Sequence, residues 1–328
     1  MEKVTPNNSK LSVQEMERLK ERIRQRVHEL RTYVPKIGVF GVTGVGKSSL
    51  CNALFGSDVA AISDVAACTR SPQEILIGEN GRGLCLVDVP GVGERIERDE
   101  EYFALYKSLM PELDLVIWVI KADDRAYAVA ERAYKEIIKP HAKRCPTLFV
   151  VNQVDKINPV REWDDEKNCP GEKQLANIQV KVDEISKAFD VSTRYIQTAS
   201  VEEKYNLVAV MDMIVDILPK EKKFAVAREA NEEVRSIEAG EKAVKGIWDS
   251  IVEMAGSAVE AVKEFATEVG RYASPRRDKY RAFYQSKLGL VLEEVEAGLL
   301  LDLSTNIGNC CLLAWHGSVL SLPRSRPH

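Results

Sequence analysis

An α/β fold built on a mainly parallel sheet, with helices on both faces, is predicted by three observations on residues 36–218. Short β-branched runs alternate with stretches of helical periodicity, which is the pattern of strand–helix–strand units. Several runs, above all Leu115–Ile120, are apolar without interruption, as strands covered on both faces must be. A glycine-rich turn joins the first of these strands to a helical stretch. The chain of 328 residues, 45% hydrophobic and 29% charged, has the composition of a globular protein and is long enough to bury a sizeable core.

Each element follows from its own pattern. Met16, Leu19, Ile23, Val27 and Leu30 recur at spacings of three and four, which predicts a helix from about Leu11 to Val34. Strands are expected at KIGVF, QEILIG, GLCLVDV, DLVIWVI, TLFVV and RYIQTA. Helices are expected over 47–55, 99–109, 126–139, 172–188 and 204–217. Pro219 and the Lys220-Glu221-Lys222-Lys223 run after it mark the end of the domain. From 224 to 270 the pattern is helical throughout, with one apolar stripe through Val244, Ile247, Trp248, Ile251 and Val252. Ser274-Pro275 breaks it, and a further helix is expected over 278–302. The expected organisation is an N-terminal amphipathic helix (1–35), an α/β domain (36–218) and an all-α C-terminal region (219–328). The last twenty residues, without an acidic group, read as a frayed tail or as a terminus not native to the gene.

The charge argues against direct nucleic-acid binding. With 46 basic and 50 acidic side chains the chain carries −4, which gives no general electrostatic case for nucleic acid. Seven cysteines, with no Cys-x-x-Cys pair, read as reduced thiols and predict a cytoplasmic protein. The N-terminus has no apolar leader. The longest low-charge stretch, Gly298–Leu320, contains Asp302, Asn306, Asn309 and His316 and is a poor spanning helix. Peripheral membrane contact through the N-terminal helix is the minority reading, because acidic residues interrupt its basic face.

The chemistry begins with Gly41-Val42-Thr43-Gly44-Val45-Gly46-Lys47-Ser48, with Ser49 next, directly after KIGVF. Gly-x4-Gly-Lys-Ser at a strand–helix junction is a phosphate-binding loop: the curled backbone aims N–H groups at phosphate oxygens, and the helix N-terminus adds its own donors. Lys47 would set its ammonium between the β- and γ-phosphates, and Ser48 would give its hydroxyl to Mg²⁺. Asp88-Val89-Pro90-Gly91 ends the strand GLCLVDV. There a carboxylate can hold a Mg²⁺-bound water, and the Gly91 N–H can approach the γ-phosphate without a Cβ in the way. Asn152-Gln153-Val154-Asp155 follows TLFVV. The Asp155 carboxylate could accept from both N1–H and the 2-amino group of guanine, donors that adenine lacks. Thr198-Ala199-Ser200, at the end of the last strand, stands where a backbone N–H could reach the base carbonyl.

Together these motifs make residues 36–218 resemble the translation-factor-related P-loop GTPases, most closely the Era-like group of small bacterial GTPases. The resemblance implies a Rossmann-like sheet, GTP and GDP with Mg²⁺, and a cycle between two nucleotide states. It also implies that Thr69 closes over Mg²⁺ and the γ-phosphate, within a first switch of about 57–72, and that 91–98 form a second switch. The candidate catalytic set is Lys47, Thr69 and Gly91, and the candidate metal set is Ser48, Thr69 and Asp88. The sequence departs from its relatives at several points. Val92 stands where Ras-like proteins carry a glutamine that orients water. Gly44 stands where potassium-activated members have asparagine, and Gln153 replaces the usual lysine. No Gly-x-x-Gly loop of an RNA-binding KH domain follows. The function expected is slow, partner- or dimer-stimulated GTP hydrolysis by a regulatory switch, with the helical regions docking a protein effector or mediating self-association. The alternative is a self-assembling GTPase of the dynamin or immunity-related kind, acting at membranes.

Overall fold

The computed structural model describes residues 12–56, 73–77, 83–89 and 96–255. The expected switch threonine Thr69, Gly91 and Val92, the helix over 278–302 and the C-terminal tail lie outside the described residues. The chain divides into two compact units, one of residues 30–246 and one holding 1–29 and 247–328. The larger unit therefore runs past the boundary expected at 218.

The larger unit is organised by a six-stranded sheet of order β2-β3-β1-β4-β5-β6. The strands are β1 (Lys36–Phe40), β2 (Gln73–Ile77), β3 (Leu84–Asp88), β4 (Leu115–Lys121), β5 (Thr147–Asn152) and β6 (Ile196–Thr198). All neighbours are parallel except β2, which runs antiparallel to β3. Strand side chains alternate between two cores, as a period of two requires. Phe40, Trp118 and Phe149 enter one core, while Val39, Ile117, Val119, Leu148 and Val150 enter the other. The first core is aromatic: Phe40 stacks on Trp118 at 5.9 Å, and Tyr134 meets Phe149 edge-on at 4.9 Å. Cys145 lies in it, where burial pushes its thiol up to about 12 and leaves it inert.

Helices α2 (Lys47–Phe55), α3 (Ile96–Leu109), α4 (Ala128–Ala133), α5 (Glu172–Phe189), α6 (Leu207–Ile217) and α7 (Lys220–Glu229) cover the two faces. The stretch expected as one helix over 126–139 is six α-helical residues followed by a π-turn at Tyr134–Ile138 and a 310 turn at Lys139–His141 that contains Pro140. The run expected to be helical throughout from 224 also breaks, between α7 and α8 (Ile237–Ala255). The cause is tertiary. Asn231 N–H donates to Leu54 O at 2.7 Å and Asn231 Nδ2 to Ala53 O at 3.4 Å, so residue 231 caps the open carbonyls at the end of α2. Arg235 holds the bend by donating to Ala230 O and Arg228 O.

In the second unit the described residues are 12–29 and 247–255. Helix α1 (Val13–Thr32) starts at a capping box: Ser12 N–H donates to Glu15 Oε2 at 2.8 Å, and Glu15 N–H to Ser12 Oγ at 3.3 Å. Its Leu19, Ile23 and Val27 are buried, as the spacing predicts. Among the described residues no helix is long and apolar enough to cross a membrane.

Opposite the glycine-rich loop, the start of β4 holds a buried carboxylate. Asp114 accepts from Tyr33 Oη at 2.8 Å, from the Lys36 N–H at 2.9 Å and from Lys222 Nζ of α7. Lys222 also lies 5.8 Å from the Tyr33 ring. Burial, then the Asp114 carboxylate, push the Tyr33 phenol well above its ordinary range. Asp114→Ala leaves three donors without an acceptor and a half-buried ammonium without its counter-charge. It is expected to destabilise the protein by about 3 kcal/mol, read as a fall in Tm of about 6–10 °C in a thermal melt.

Candidate functional site

The motifs converge on the C-terminal edge of the parallel strands, where open α/β sheets place their ligands. Register brings them there: Val39 pairs with Asp88 and Phe40 with Trp118, while Lys121 pairs with Asn152. The ends of β1, β3, β4 and β5 are therefore neighbours, and the loop after β1 sits among them.

That loop needs glycine at two points. A Cβ on Gly41 (φ +143°) would stand 2.3 Å from Val119 O. A Cβ on Gly46 (φ +88°) would stand 2.5 Å from Asn152 Nδ2. Neither position accepts a side chain. Asn152, 2% exposed, is the tie behind this closeness: its Nδ2 donates to Val45 O at 3.0 Å and fastens the loop to the end of β5. Thr43 and Gly44 face solvent at the loop's tip, whereas Val45 is buried beneath it. Lys47, Ser48 and Ser49 form the first turn of α2, where backbone N–H groups are open to an anion. Lys47 Nζ curls back to donate to Gly41 O at 3.1 Å and Val42 O at 3.2 Å. An ammonium held by two neutral carbonyls over such a loop is poised to exchange them for phosphate oxygens, which bind it more strongly. Asp88 ends β3 on the same edge.

The second half of the site is built from the loops after β5 and β6. Gln153 takes a left-handed backbone (φ 63°), and its Nε2 reaches to within 3.7 Å of where a Gly46 Cβ would be, so its amide lies against the phosphate loop. Its Oε1 accepts from Lys156 Nζ at 3.4 Å, and Lys156 also pairs with Glu202. Asp155 is partly buried, and its Oδ1 has no hydrogen-bond partner among the described residues. A buried carboxylate oxygen without a donor is costly unless a ligand supplies one. The two loops are fastened together: Val154 N–H donates to Ala199 O at 3.3 Å, and Trp163 meets Tyr205 edge-on at 5.5 Å.

The segment 198–200 lies beside this carboxylate's loop, but its amides are largely spent inside the protein. Ala199 N–H donates to Val151 O at 2.8 Å and Ser200 N–H to Tyr205 O at 3.2 Å, while Thr198 O accepts from Asn206 Nδ2 at 2.7 Å. The next N–H along, that of Val201, donates to no described group. Val201 escapes a reading of local sequence because only the tertiary bonds reveal which amides are engaged.

The donor set fits a guanine nucleotide: a glycine loop closed by Lys47, a helix N-terminus, and a carboxylate oxygen awaiting a donor. The comparisons with known proteins agree with this geometry. Residues 36–153 match the family model described as "50S ribosome-binding GTPase". Residues 36–153 thus carry a P-loop GTPase domain of that family. Over 245 residues it is 38% identical to YfjP and 36% identical to YkfA, both uncharacterized proteins of Escherichia coli K12, covering 75% of this chain and 82% of each of theirs. It belongs to the family of YfjP and YkfA. Era from Aquifex aeolicus is 27% identical over 191 residues, or 56% of each chain. A solved structure of a variant of that Era, bound to GDP·AlF4⁻, aligns with 60% of this chain and 66% of its own at 25% identity and a TM-score of 0.42.

Proposed function

We propose that this chain is a regulatory switch that hydrolyses GTP slowly on its own and faster when a partner or a second copy engages it. The observation that carries the reading is the donor-less Asp155 Oδ1, on a loop fastened to the one that offers the Val201 N–H. Guanine satisfies both: N1–H and the 2-amino group donate to the carboxylate, and the base carbonyl accepts from Val201. Adenine would leave the carboxylate bare.

The reaction is in-line attack of water on the γ-phosphorus, breaking the bond to the β-phosphate oxygen and releasing phosphate and GDP. Lys47 and the N–H groups of the loop and of α2 stabilise the negative charge that develops on the β- and γ-oxygens. Ser48, Asp88 and Thr69 would hold Mg²⁺, which supplies further neutralisation of the same oxygens. The Gly91 N–H would face the γ-phosphate. Val92 has no polar side-chain atom to orient the attacking water, so that task falls to backbone, to another switch residue or to another molecule, and slow intrinsic turnover follows. Residues 219–235 are natural carriers of the switch's output, because they are fastened to the domain through Asp114–Lys222 and Asn231 rather than through the nucleotide site. The expectation against direct nucleic-acid binding is not carried forward, since the matching family is described as ribosome-binding.

Hydrogen exchange in Mg²⁺ with a non-hydrolysable GTP analogue, compared with GDP, tests the switch. Residues 57–72 and 91–98 are expected to exchange more slowly in the analogue-bound protein, because the γ-phosphate orders them. Identical exchange in the two states would show that the protein reads no difference between its substrate and its product.

A further inference from the structure

We infer that Gln174, on the first turn of α5, is a positioning residue that sets guanine selectivity by fixing the loop that carries Asp155. The inference rests on the guanine reading of Asp155 and deepens it. Gln174 is fully buried, at 0% exposure, on a helix whose neighbours Leu175 and Ala176 face solvent. A buried amide in a first turn requires a reason, and its hydrogen bonds supply one. Its Nε2 donates to Asp155 O at 3.0 Å and to Ile157 O at 2.8 Å, spending both protons of the amide on one loop. Its Oε1 has no partner among the described residues, so only the donor end is used.

The first of these carbonyls belongs to the peptide unit that leaves the Asp155 Cα and the second lies two residues further on, so the amide pins the chain directly after the carboxylate. Its other ties are a 310 turn, in which Lys156 N–H donates to Gln153 O and Ile157 N–H to Val154 O at 3.1 Å each, the Val154 N–H bond to Ala199 O and the Lys156–Glu202 pair. None of these reaches the carbonyls of 155 and 157. A second clamp from the same helix lies further on, where Asn177 Nδ2 donates to Asn158 O at 2.8 Å. Helix α5 therefore acts as a rigid backing against which the base-reading loop is pinned, and Gln174 is the pin nearest the carboxylate.

The residue type matters more than its volume. Reversing the amide would set Oε1 against two carbonyl oxygens, so the orientation is dictated by the loop. A glutamate of the same size would present oxygen to oxygen and push the loop away. A methionine of similar length fills the space and donates nothing. Neither substitution touches the phosphate loop, so the phosphate contacts of a nucleotide stay as they are.

The test is a set of dissociation constants for GDP, IDP and ADP, measured on the full chain and on Gln174→Met and Gln174→Glu. IDP lacks only the 2-amino group, so the GDP-over-IDP ratio reports how well the carboxylate is aimed. That ratio is expected to fall about tenfold in Gln174→Met, the worth of one misaligned hydrogen bond to a charged group, and further in Gln174→Glu. A merely structural glutamine would weaken GDP and IDP by the same factor or leave both unchanged, and either result overturns the inference. Thermal melts without nucleotide establish that each variant is folded. Should Gln174→Met fail to fold, Gln174→Glu carries the same comparison. The unaltered chain is the separate check on the underlying reading: if it does not prefer GDP to ADP, guanine recognition by Asp155 is wrong. A wild-type preference with an unmoved GDP-over-IDP ratio rejects Gln174 alone.

Discussion

Asp155→Asn is expected to weaken GDP binding by at least about a hundredfold and to turn the preference of the protein toward xanthosine diphosphate. Two hydrogen bonds to a charged acceptor are lost or reversed, each worth about 1.5–3 kcal/mol, so the expected loss is roughly 3–6 kcal/mol. The amide that replaces the carboxylate turns a donor toward the base edge. Guanine meets it with donors of its own, whereas xanthine offers a carbonyl oxygen at the same carbon. The wild-type carboxylate rejects xanthine for the mirror-image reason, oxygen against oxygen in a partly buried site. Competition titrations with GDP, XDP and ADP on both proteins read the exchange directly. An Asp155→Asn protein that keeps its GDP affinity would mean that the base is recognised elsewhere, and the orphaned Oδ1 would then be a stored defect rather than half of a contact.

Much of the fold was legible in the sequence because its signals are local. The apolar run Leu115–Ile120 is a strand buried on both faces in any α/β sheet, and it is buried throughout in β4. The helices over 47–55 and 172–188 end within a residue of where periodicity and flanking residues place them. The phosphate loop was legible for the same reason: its chemistry is written in eight consecutive residues whose backbone does the work. What escaped is tertiary. Nothing in QEILIG marks β2 as the one strand that runs antiparallel, since direction is fixed by the connection to β3 and not by the strand itself. The break after residue 229 is invisible in a sequence whose helical propensity continues, because it exists to bring Asn231 to the carbonyls of Ala53 and Leu54 nearly 180 positions earlier. Val201 and Gln174 escaped on the same principle. One is singled out by the engagement of its neighbours and the other by a loop about 19 residues upstream, and no spacing rule reaches either.

Lys47→Ala is expected to lower kcat for GTP about 100- to 1,000-fold, the cost of removing one preorganised donor from the charge that builds in the transition state. The effect belongs to charge rather than to fold. The loop keeps its shape without the lysine, since Asn152 holds Val45 O and the glycines at 41 and 46 set the backbone, so the variant should melt close to the wild type. This makes it a clean blank for the measurement that separates the two ways of completing the site. With no polar side chain at Val92, acceleration beyond what the chain's own groups allow comes either from another protein or from a second copy of this chain. Phosphate release per molecule, followed over about a hundredfold range of protein concentration with the blank subtracted, distinguishes them by mass action. A rate that climbs with concentration means that one domain completes another, which is the behaviour required of a self-assembling GTPase. A slow rate that stays flat means that the chain is a solitary switch, whose accelerator is another protein.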